Sequence, residues 1–105
     1  MVRGEVVRLR TPRGTRSSEQ RGVRFGVVVQ ADELLALSTV LVAPTSASAP
    51  PRTFRPAISI DGSRTRVLVE QTTAVATDRL GDSAGRLDAS ELRDVDTALT
   101  LVFGL

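Results

Sequence analysis

The chain has 105 residues, 41% of them hydrophobic and 25% charged, and a formal net charge of +2. This length and composition suit one soluble globular domain, so we expect residues 1–105 to form a single domain without a membrane span. Cys and His are absent, which excludes disulfides, thiolate or imidazole metal ligands and Ser-His-Asp catalysis. The N-terminus lacks the apolar run of a secretory signal, so we expect a cytoplasmic protein.

The charged residues are unevenly distributed. Residues 1–24 contain seven Arg and two acids, a local charge of +5, whereas the remainder carries −3. This asymmetry predicts a basic surface that could meet phosphate groups, although a GC-rich coding sequence would also explain the use of Arg in place of Lys. Reactive groups must come from Arg, Asp, Glu, Ser, Thr or the backbone, and a carboxylate-only Mg²⁺ site is chemically possible.

The first half of the chain predicts three strands. Residues 4–10 are rich in Val and end in alternating charged and apolar residues, which is typical of a half-buried strand. Residues 11–22 are dense in Pro, Gly, Ser, Thr and Arg and predict a long polar loop. Residues 23–30 contain three consecutive Val and predict a strand buried on both faces. Residues 31–37 favour a helix of one or two turns, and residues 38–44 a third strand.

The second half predicts a hairpin and one further strand. Residues 45–54 are typical of a flexible loop, stiffened at its far end by two prolines. Asp61-Gly62 is a strong hairpin signal between residues 55–60 and 64–71, which we expect to be strands four and five. Residues 81–87 predict a short sixth strand.

The chain ends on a predicted helix. Asp88 and Glu91 have the spacing of a capping box, and apolar residues recur on one face at positions 92, 95, 99 and 102. Together the elements predict a mainly β fold with a C-terminal helix, a β-rich α+β architecture. We expect a small, bent antiparallel sheet or SH3-like barrel of five to six strands, with the helix covering one opening. A core this thin would gain from dimerisation.

Five motifs follow one another along nearly the whole chain. They are Arg3-Gly4-Glu5-Val6; Ser18-Glu19-Gln20-Arg21-Gly22-Val23-Arg24; Val42-Ala43-Pro44-Thr45-Ser46; Val67-Leu68-Val69-Glu70-Gln71; and Asp78-Arg79-Leu80-Gly81 with Val95-Asp96-Thr97-Ala98-Leu99. In this order and spacing they resemble the MazF/PemK endoribonuclease toxins of bacterial toxin–antitoxin systems. The resemblance implies the small barrel that this family shares with CcdB-like toxins.

The resemblance also implies a function, which is metal-independent, sequence-specific cleavage of single-stranded RNA. In this chemistry the ribose 2′-OH attacks its own phosphodiester and leaves a 2′,3′-cyclic phosphate and a 5′-OH, so no cofactor is expected. Cleavage would inhibit translation and growth. The implied partners are the RNA, a second copy of the chain in a homodimer, and a cognate antitoxin protein whose tail occupies the RNA groove.

The catalytic residues that follow from this resemblance are Arg24, Thr45 and Glu19. A planar guanidinium can bind two phosphoryl oxygens at once, so Arg24 suits the extra negative charge of the transition state. The Thr45 hydroxyl adds a second donor. The general base stays open between Glu19, water, and Arg24 in an unusual protonation state, although an arginine pKa above ~12 makes the last difficult.

Further residues are candidates for RNA contact: Arg13, Arg16, Ser18, Gln20, Arg21, Phe25, Ser46, Glu70 and Gln71. Arginines in the polar loop would attract the phosphate backbone and make binding salt-dependent. Ordinary structural roles stay open beside these. The loop residues could form a solvated surface, Phe25 could pack in the core, and Glu70 and Gln71 could lie on an outward strand face instead of contacting a base edge.

Two positions depart from the family pattern. Ser17 stands where the family usually has Gly, and Phe25 where it usually has Pro, and either change could alter substrate choice or activity. Two alternative functions therefore stay open. One is a catalytically inactive RNA-binding module of the same fold. The other is a CcdB-like toxin that poisons DNA gyrase, suggested by a faint resemblance at Phe103-Gly104-Leu105.

Overall fold

The computed structural model describes residues 1–10 and 24–105 of the chain. The polar loop predicted for residues 11–22 lies outside the described residues. Within the described part, no helix has both the length and the apolar character needed to cross a membrane.

The described residues form seven strands and one α-helix. They are β1 (Glu5–Leu9), β2 (Phe25–Val28), β3 (Thr39–Ser46), β4 (Ala57–Ile60), β5 (Ser63–Val67), β6 (Thr73–Ala76), β7 (Leu80–Arg86) and α1 (Ala89–Phe103). Short 3₁₀ turns lie at Asp32–Leu34, Val69–Gln71 and Thr77–Arg79. Apart from strand five, the predicted strands, the hairpin turn and the terminal helix are confirmed with ends shifted by a few residues. β3 extends through Thr45 and Ser46, which were predicted to begin a loop. The short helix predicted in residues 31–37 is a single 3₁₀ turn.

The strands form one antiparallel sheet with the order β4-β5-β3-β2-β1-β7. β6 also pairs with β3, so that Thr73 faces Val42, while farther along β3 Val67 of β5 faces Thr45. β5 and β6 thus behave as one interrupted strand beside β3. The curled, mainly β sheet with a C-terminal helix confirms the predicted fold class. β6 was missed because a four-residue Thr-Ala-Val-Ala strand is too short for a periodic signal.

The interruption between β5 and β6 follows from the missing backbone N–H of Pro44. Leu68 N–H donates to the Pro44 carbonyl at 2.8 Å, but Pro44 has no N–H to complete the pair. The Leu68 carbonyl instead accepts the Gln71 N–H at 2.9 Å, which closes the 3₁₀ turn Val69–Gln71. The prediction that strand five runs through residue 71 is therefore wrong, and Glu70 and Gln71 lie in this turn.

Two apolar clusters hold the sheet together. The larger contains Val6, Val27, Val29, Ala43, Ile58, Ile60, Val67, Val69, Leu87, Val95 and Ala98. The smaller contains Val7, Val28, Val40, Val42 and Val75. Because neighbouring residues of a strand point to opposite faces, Val27 and Val28 bury β2 on both sides, as predicted. We call the face that carries the larger cluster the inner face of the sheet.

Helix α1 packs on the inner face and begins at the predicted capping box. The Asp88 carboxylate accepts the Glu91 N–H at 2.7 Å, and the Glu91 carboxylate accepts the Asp88 N–H at 3.0 Å. Val95 and Ala98 are buried in the larger cluster. Val102 was predicted on the same apolar stripe but is 38% exposed.

Candidate functional site

Adjacent ends of β2 and β3 carry the two described catalytic candidates. Gly26 faces Pro44 in the register, and one further step sets Phe25 opposite Thr45. The Thr45 hydroxyl donates to the Phe25 carbonyl at 3.3 Å. Arg24 directly precedes β2, and its carbonyl accepts the Leu9 N–H at 2.9 Å. The fold therefore brings the backbones of Arg24 and Thr45 to one end of neighbouring strands.

The Arg24 side chain is exposed at this edge. Among residues 1–10 and 24–105, no carboxylate lies within ion-pair distance of its guanidinium. Its backbone is fixed to β1, whereas its charge faces solvent. This combination suits a cation that binds the phosphate group of another molecule.

Thr45 and Ser46 lie next to each other in β3 but face opposite sides of the sheet. Thr45 is opposite Val67, which belongs to the larger cluster, so the Thr45 side chain is on the inner face. Ser46 is opposite Arg66, and its hydroxyl lies 3.4 Å from the Ser48 hydroxyl. The Thr45 side chain therefore lies on the inner face of the sheet, and the Ser46 side chain lies on the opposite face.

Phe25 packs against the larger cluster and is only partly buried. The guanidinium carbon of Arg8 lies 5.5 Å from the centroid of its ring, within the range of a cation–π contact. Core packing, one of its two predicted roles, is therefore present. Stacking of an RNA base on the ring stays a prediction.

Glu70 is held by an ion pair that the sequence did not reveal. The Arg55 Nε and Nη2 donate to one Glu70 carboxylate oxygen at 3.0 and 2.7 Å, and this hydrogen bonding lowers the pKa of Glu70 below its ordinary value. Arg55 also donates to the Pro50 carbonyl at 3.2 Å. The pair ties the Val69–Gln71 turn to the segment after β3. The neighbouring residue Gln71 is exposed.

A cleft of about 330 Å³ opens next to the Thr45–Phe25 contact. Phe25 and Ala47 line one side, and the β4–β5 hairpin supplies Ile60, Asp61, Ser63, Arg64 and Thr65. Among these residues only Phe25 was predicted as a site residue. Asp61 was predicted only as part of a hairpin turn, and Asp61 (φ 50°) and Gly62 (φ 82°) do form that turn.

The remaining candidates lie outside the described residues. They are Arg13, Arg16, Ser18, Glu19, Gln20 and Arg21, together with the family departure at Ser17. Their catalytic and RNA-binding roles stay predictions. In the part of the chain that the structure covers, no three Asp or Glu side chains are grouped so as to hold a metal ion.

Several solved structures share this fold over almost the whole chain. An endoribonuclease solved in complex with its cognate antitoxin, from a mycobacterial species, has a TM-score of 0.81 at 20% identity, covering 100% of this chain and 96% of that chain. The MazE–MazF complex of Deinococcus radiodurans has 0.79 at 16% identity, covering 100% and 96%. The Mycobacterium tuberculosis toxin MazF-mt6 has 0.78 at 16% identity, covering 96% and 97%. The architecture is that of a MazF-like barrel.

Sequence comparison identifies the family. The family described as PemK-like, MazF-like toxin of type II toxin-antitoxin system matches residues 2–103. A candidate toxin of Mycobacterium tuberculosis, Rv3098A, is 36% identical over 106 residues, covering 100% of this chain and 99% of that protein. The chain therefore belongs to the PemK/MazF-like toxins of type II toxin–antitoxin systems, as the motif resemblance predicted.

Proposed function

We propose that the chain is a metal-independent, sequence-specific endoribonuclease that cleaves single-stranded RNA. The observation that carries the proposal is the position of Arg24 and Thr45 at adjacent strand ends, near an open cleft, in a member of this toxin family. A solvent-facing guanidinium and a hydroxyl donor on a fixed backbone are the groups that a phosphoryl transition state requires.

The proposed reaction is an internal transfer within the RNA. The ribose 2′-OH attacks the adjacent phosphorus, the bond from phosphorus to the 5′-oxygen breaks, and the products carry a 2′,3′-cyclic phosphate and a 5′-OH. The proton of the 2′-OH passes to a base, for which Glu19 and water are the chemically easier candidates, and the leaving oxygen takes up a proton. Arg24 binds the non-bridging oxygens as their negative charge grows, and Thr45 turns its hydroxyl from the Phe25 carbonyl toward the phosphate.

We further propose that the chain acts in the cytoplasm as a homodimer, that it inhibits translation and growth, and that a cognate antitoxin protein neutralises it. Two structures of the same fold were solved as complexes with an antitoxin or with MazE, which supports a protein partner of this kind. Sedimentation equilibrium of the 11.2 kDa chain tests the dimer. A monomer at micromolar concentration would contradict it.

The nuclease proposal is tested by incubating the purified protein with a long unstructured RNA in EDTA, beside the equivalent DNA. We expect discrete RNA cuts that carry 2′,3′-cyclic phosphate ends, and intact DNA because it lacks the 2′-OH. Mapping the ends also gives the recognised RNA word. Absence of cuts across diverse RNAs, from a folded protein, would refute nuclease activity.

A gyrase-poisoning function stays a second candidate because the chain terminus is accessible. Phe103 is 61% exposed and Leu105 is 90% exposed. Deletion of residues 103–105 separates the two functions. Loss of toxicity with unchanged RNA cleavage would favour the gyrase contact, whereas retained toxicity favours the nuclease.

A further inference from the structure

The cleft and the Thr45 hydroxyl lie on the same face of the sheet. Val67 is buried in the larger cluster opposite Thr45, and alternation along β5 sets Thr65 and Ser63 on this inner face as well. Ser63 is opposite Ile60, which is also buried in that cluster. The cleft is thus a direct continuation of the inner face from Thr45 toward the hairpin turn.

The chemistry of the cleft combines a flat apolar surface with hydrogen-bonding groups. Phe25 and Ile60 supply the apolar part, and Ser63 and Thr65 supply hydroxyls. The exposed Asp61 at the turn supplies a carboxylate, and the exposed Arg64 supplies a guanidinium. An aromatic ring on which a base can stack, with polar groups at its edge, is the usual construction of a site for an unpaired nucleobase. A volume of about 330 Å³ is at the lower end of small-ligand pockets and suits one base.

We propose that this cleft binds the base of a nucleotide adjacent to the cleaved phosphodiester, a proposal that rests on the endoribonuclease function. The base stacks on Phe25 while the phosphate beside it binds the Thr45 hydroxyl, which donates to the Phe25 carbonyl when no RNA is bound. Hydroxyls can donate or accept and therefore tolerate any base. Asp61 only accepts hydrogen bonds when ionised, so it favours a base with an exocyclic amino group. It disfavours uracil, whose single N3–H donor lies between two carbonyl oxygens that repel a carboxylate.

Two substitutions separate stacking from base discrimination. Phe25→Leu keeps an apolar side chain but removes the ring, and Phe103→Leu on the exposed end of α1 is its matched control. Asp61→Asn keeps the turn, because Asn is well suited to positive φ in a hairpin turn, and adds donors. Asp94→Asn on the exposed face of α1 is the control for the lost charge.

The readout is the recognised word and the steady-state constants on RNAs that differ in the bases flanking the cut. For Asp61→Asn we expect the preference against uracil at one flanking position, about tenfold in the unmodified protein, to disappear. For Phe25→Leu we expect KM to rise about tenfold with kcat little changed. The two control variants should keep both the word and KM.

If the unmodified protein cuts RNA while Phe25→Leu and Asp61→Asn keep its word and its KM, the base site is refuted and the nuclease stands. Loss of antitoxin binding alone in these variants would assign the cleft to a protein partner and also refute the proposal. If the unmodified protein cuts no RNA, the proposed nuclease function is refuted. The base site is then tested by RNA binding alone. Amide signals of Ser63 and Thr65 should then shift in NMR spectra on addition of 2′-O-methyl oligonucleotides, at lower concentrations of A, C or G than of U, and unshifted signals would refute the site.

Discussion

At the scale of single residues, the backbone of Arg24 is held by the sheet while its side chain is left available for binding. The carbonyl of Arg24 is fixed by the Leu9 N–H, while its side chain is exposed. Removal of the guanidinium therefore leaves the sheet pairing in place. Loss of cleavage in such a variant would report on chemistry and not on folding.

We expect Arg24→Ala to lower the rate of RNA cleavage by about 10²- to 10³-fold, the usual cost of removing one transition-state donor. Arg24→Lys should recover only part of the loss, because an ammonium group cannot bind two oxygens in a planar fork. Single-turnover cleavage measures the rates, and circular dichroism checks the fold. Arg93→Ala, at an exposed helix position, is the charge-matched control and should cleave normally.

We expect Thr45→Ala to lower the cleavage rate by a similar factor of about 10² to 10³, because it removes a donor beside the same phosphate. Thr45→Ser retains the hydroxyl and should keep most of the rate. The pair of variants is compared under single-turnover conditions, with the protein in excess over the RNA and at a saturating concentration. Full activity of Thr45→Ala would remove Thr45 from the proposed site.

The Arg55–Glu70 pair predicts a pH-dependent contribution to stability. Because the pKa of Glu70 is lowered in the folded protein, its contribution is present at neutral pH and is lost as the pH falls through that lowered pKa. We expect Glu70→Gln to reduce the free energy of unfolding by about 1 kcal/mol near pH 7, since the pair is partly exposed. The difference should begin to shrink at about pH 4.3, where glutamate in the unfolded protein becomes protonated, and should vanish only below the lowered pKa of Glu70 in the folded protein.

Urea unfolding of both proteins at the two pH values measures this difference. Glu33→Gln is the control, because Glu33 is exposed and forms no ion pair with the described residues. A stability loss in Glu70→Gln that is equal at both pH values would show that the cost is steric and not electrostatic.

At the scale of elements, the close packing of β2 against β3 depends on a glycine. A Cβ at position 26 would overlap Val42 Cγ1 and would lie 3.2 Å from Leu9 Cδ1. We expect Gly26→Ala to destabilise the protein by about 1–3 kcal/mol through overpacking. In a Val42→Ala background the same change should cost less, because the overlapping methyl is gone.

A double-mutant cycle by urea unfolding tests this coupling between positions 26 and 42. Strictly additive free energies would place the strain elsewhere. Any variant of this pair that still folds also reports on the site, since Phe25 and Thr45 are the next residues in the register.

Elements with a local signal were predictable from the sequence. Three consecutive Val marked β2, Asp61-Gly62 marked the hairpin turn, and the Asp88–Glu91 spacing marked the start of α1. The interrupted strand was not predictable in this way, because it arises from Pro44 acting on a segment more than twenty residues away. Backbone hydrogen bonds across the sheet leave no periodic trace in the segment that they reshape.

The candidate site also combines residues that the sequence predicted with residues that only the fold revealed. Arg24 and Thr45 could be chosen from motifs, and the register of β2 with β3 then brought them together. The Arg55–Glu70 pair and the cleft join residues from separate loops and strands, so they became visible only with the fold. Phe25 was noted as a departure from the family pattern, but its place at the cleft depends on β5.

At the scale of the whole molecule, the charge asymmetry predicts a strong salt dependence of RNA binding. Each phosphate neutralised on a single strand contributes about 0.7 to the slope of log affinity against log salt. Replacing Arg13 and Arg16 together by Gln should lower that slope by about 1.4 if both meet phosphates. Binding of an uncleavable 2′-O-methyl RNA at several salt concentrations gives the slope.

The matched control for this experiment replaces Arg86 and Arg93 by Gln, which removes the same charge from exposed positions in the acidic remainder of the chain. Its slope should stay close to that of the unmodified protein. Equal slopes for the two double variants would show that the N-terminal arginines act only through net charge.

Pro44 has a further consequence for how the sheet is aligned. A continuous strand beside β3 could slide by two residues and keep its inner and outer faces, so alternation alone does not fix its position. The turn after Leu68 forms opposite the one residue of β3 that lacks an N–H, and this allows a single alignment. The proline ring thus fixes the register of β5 beside β3, and with it the positions of the Ser63 and Thr65 hydroxyls that line the cleft.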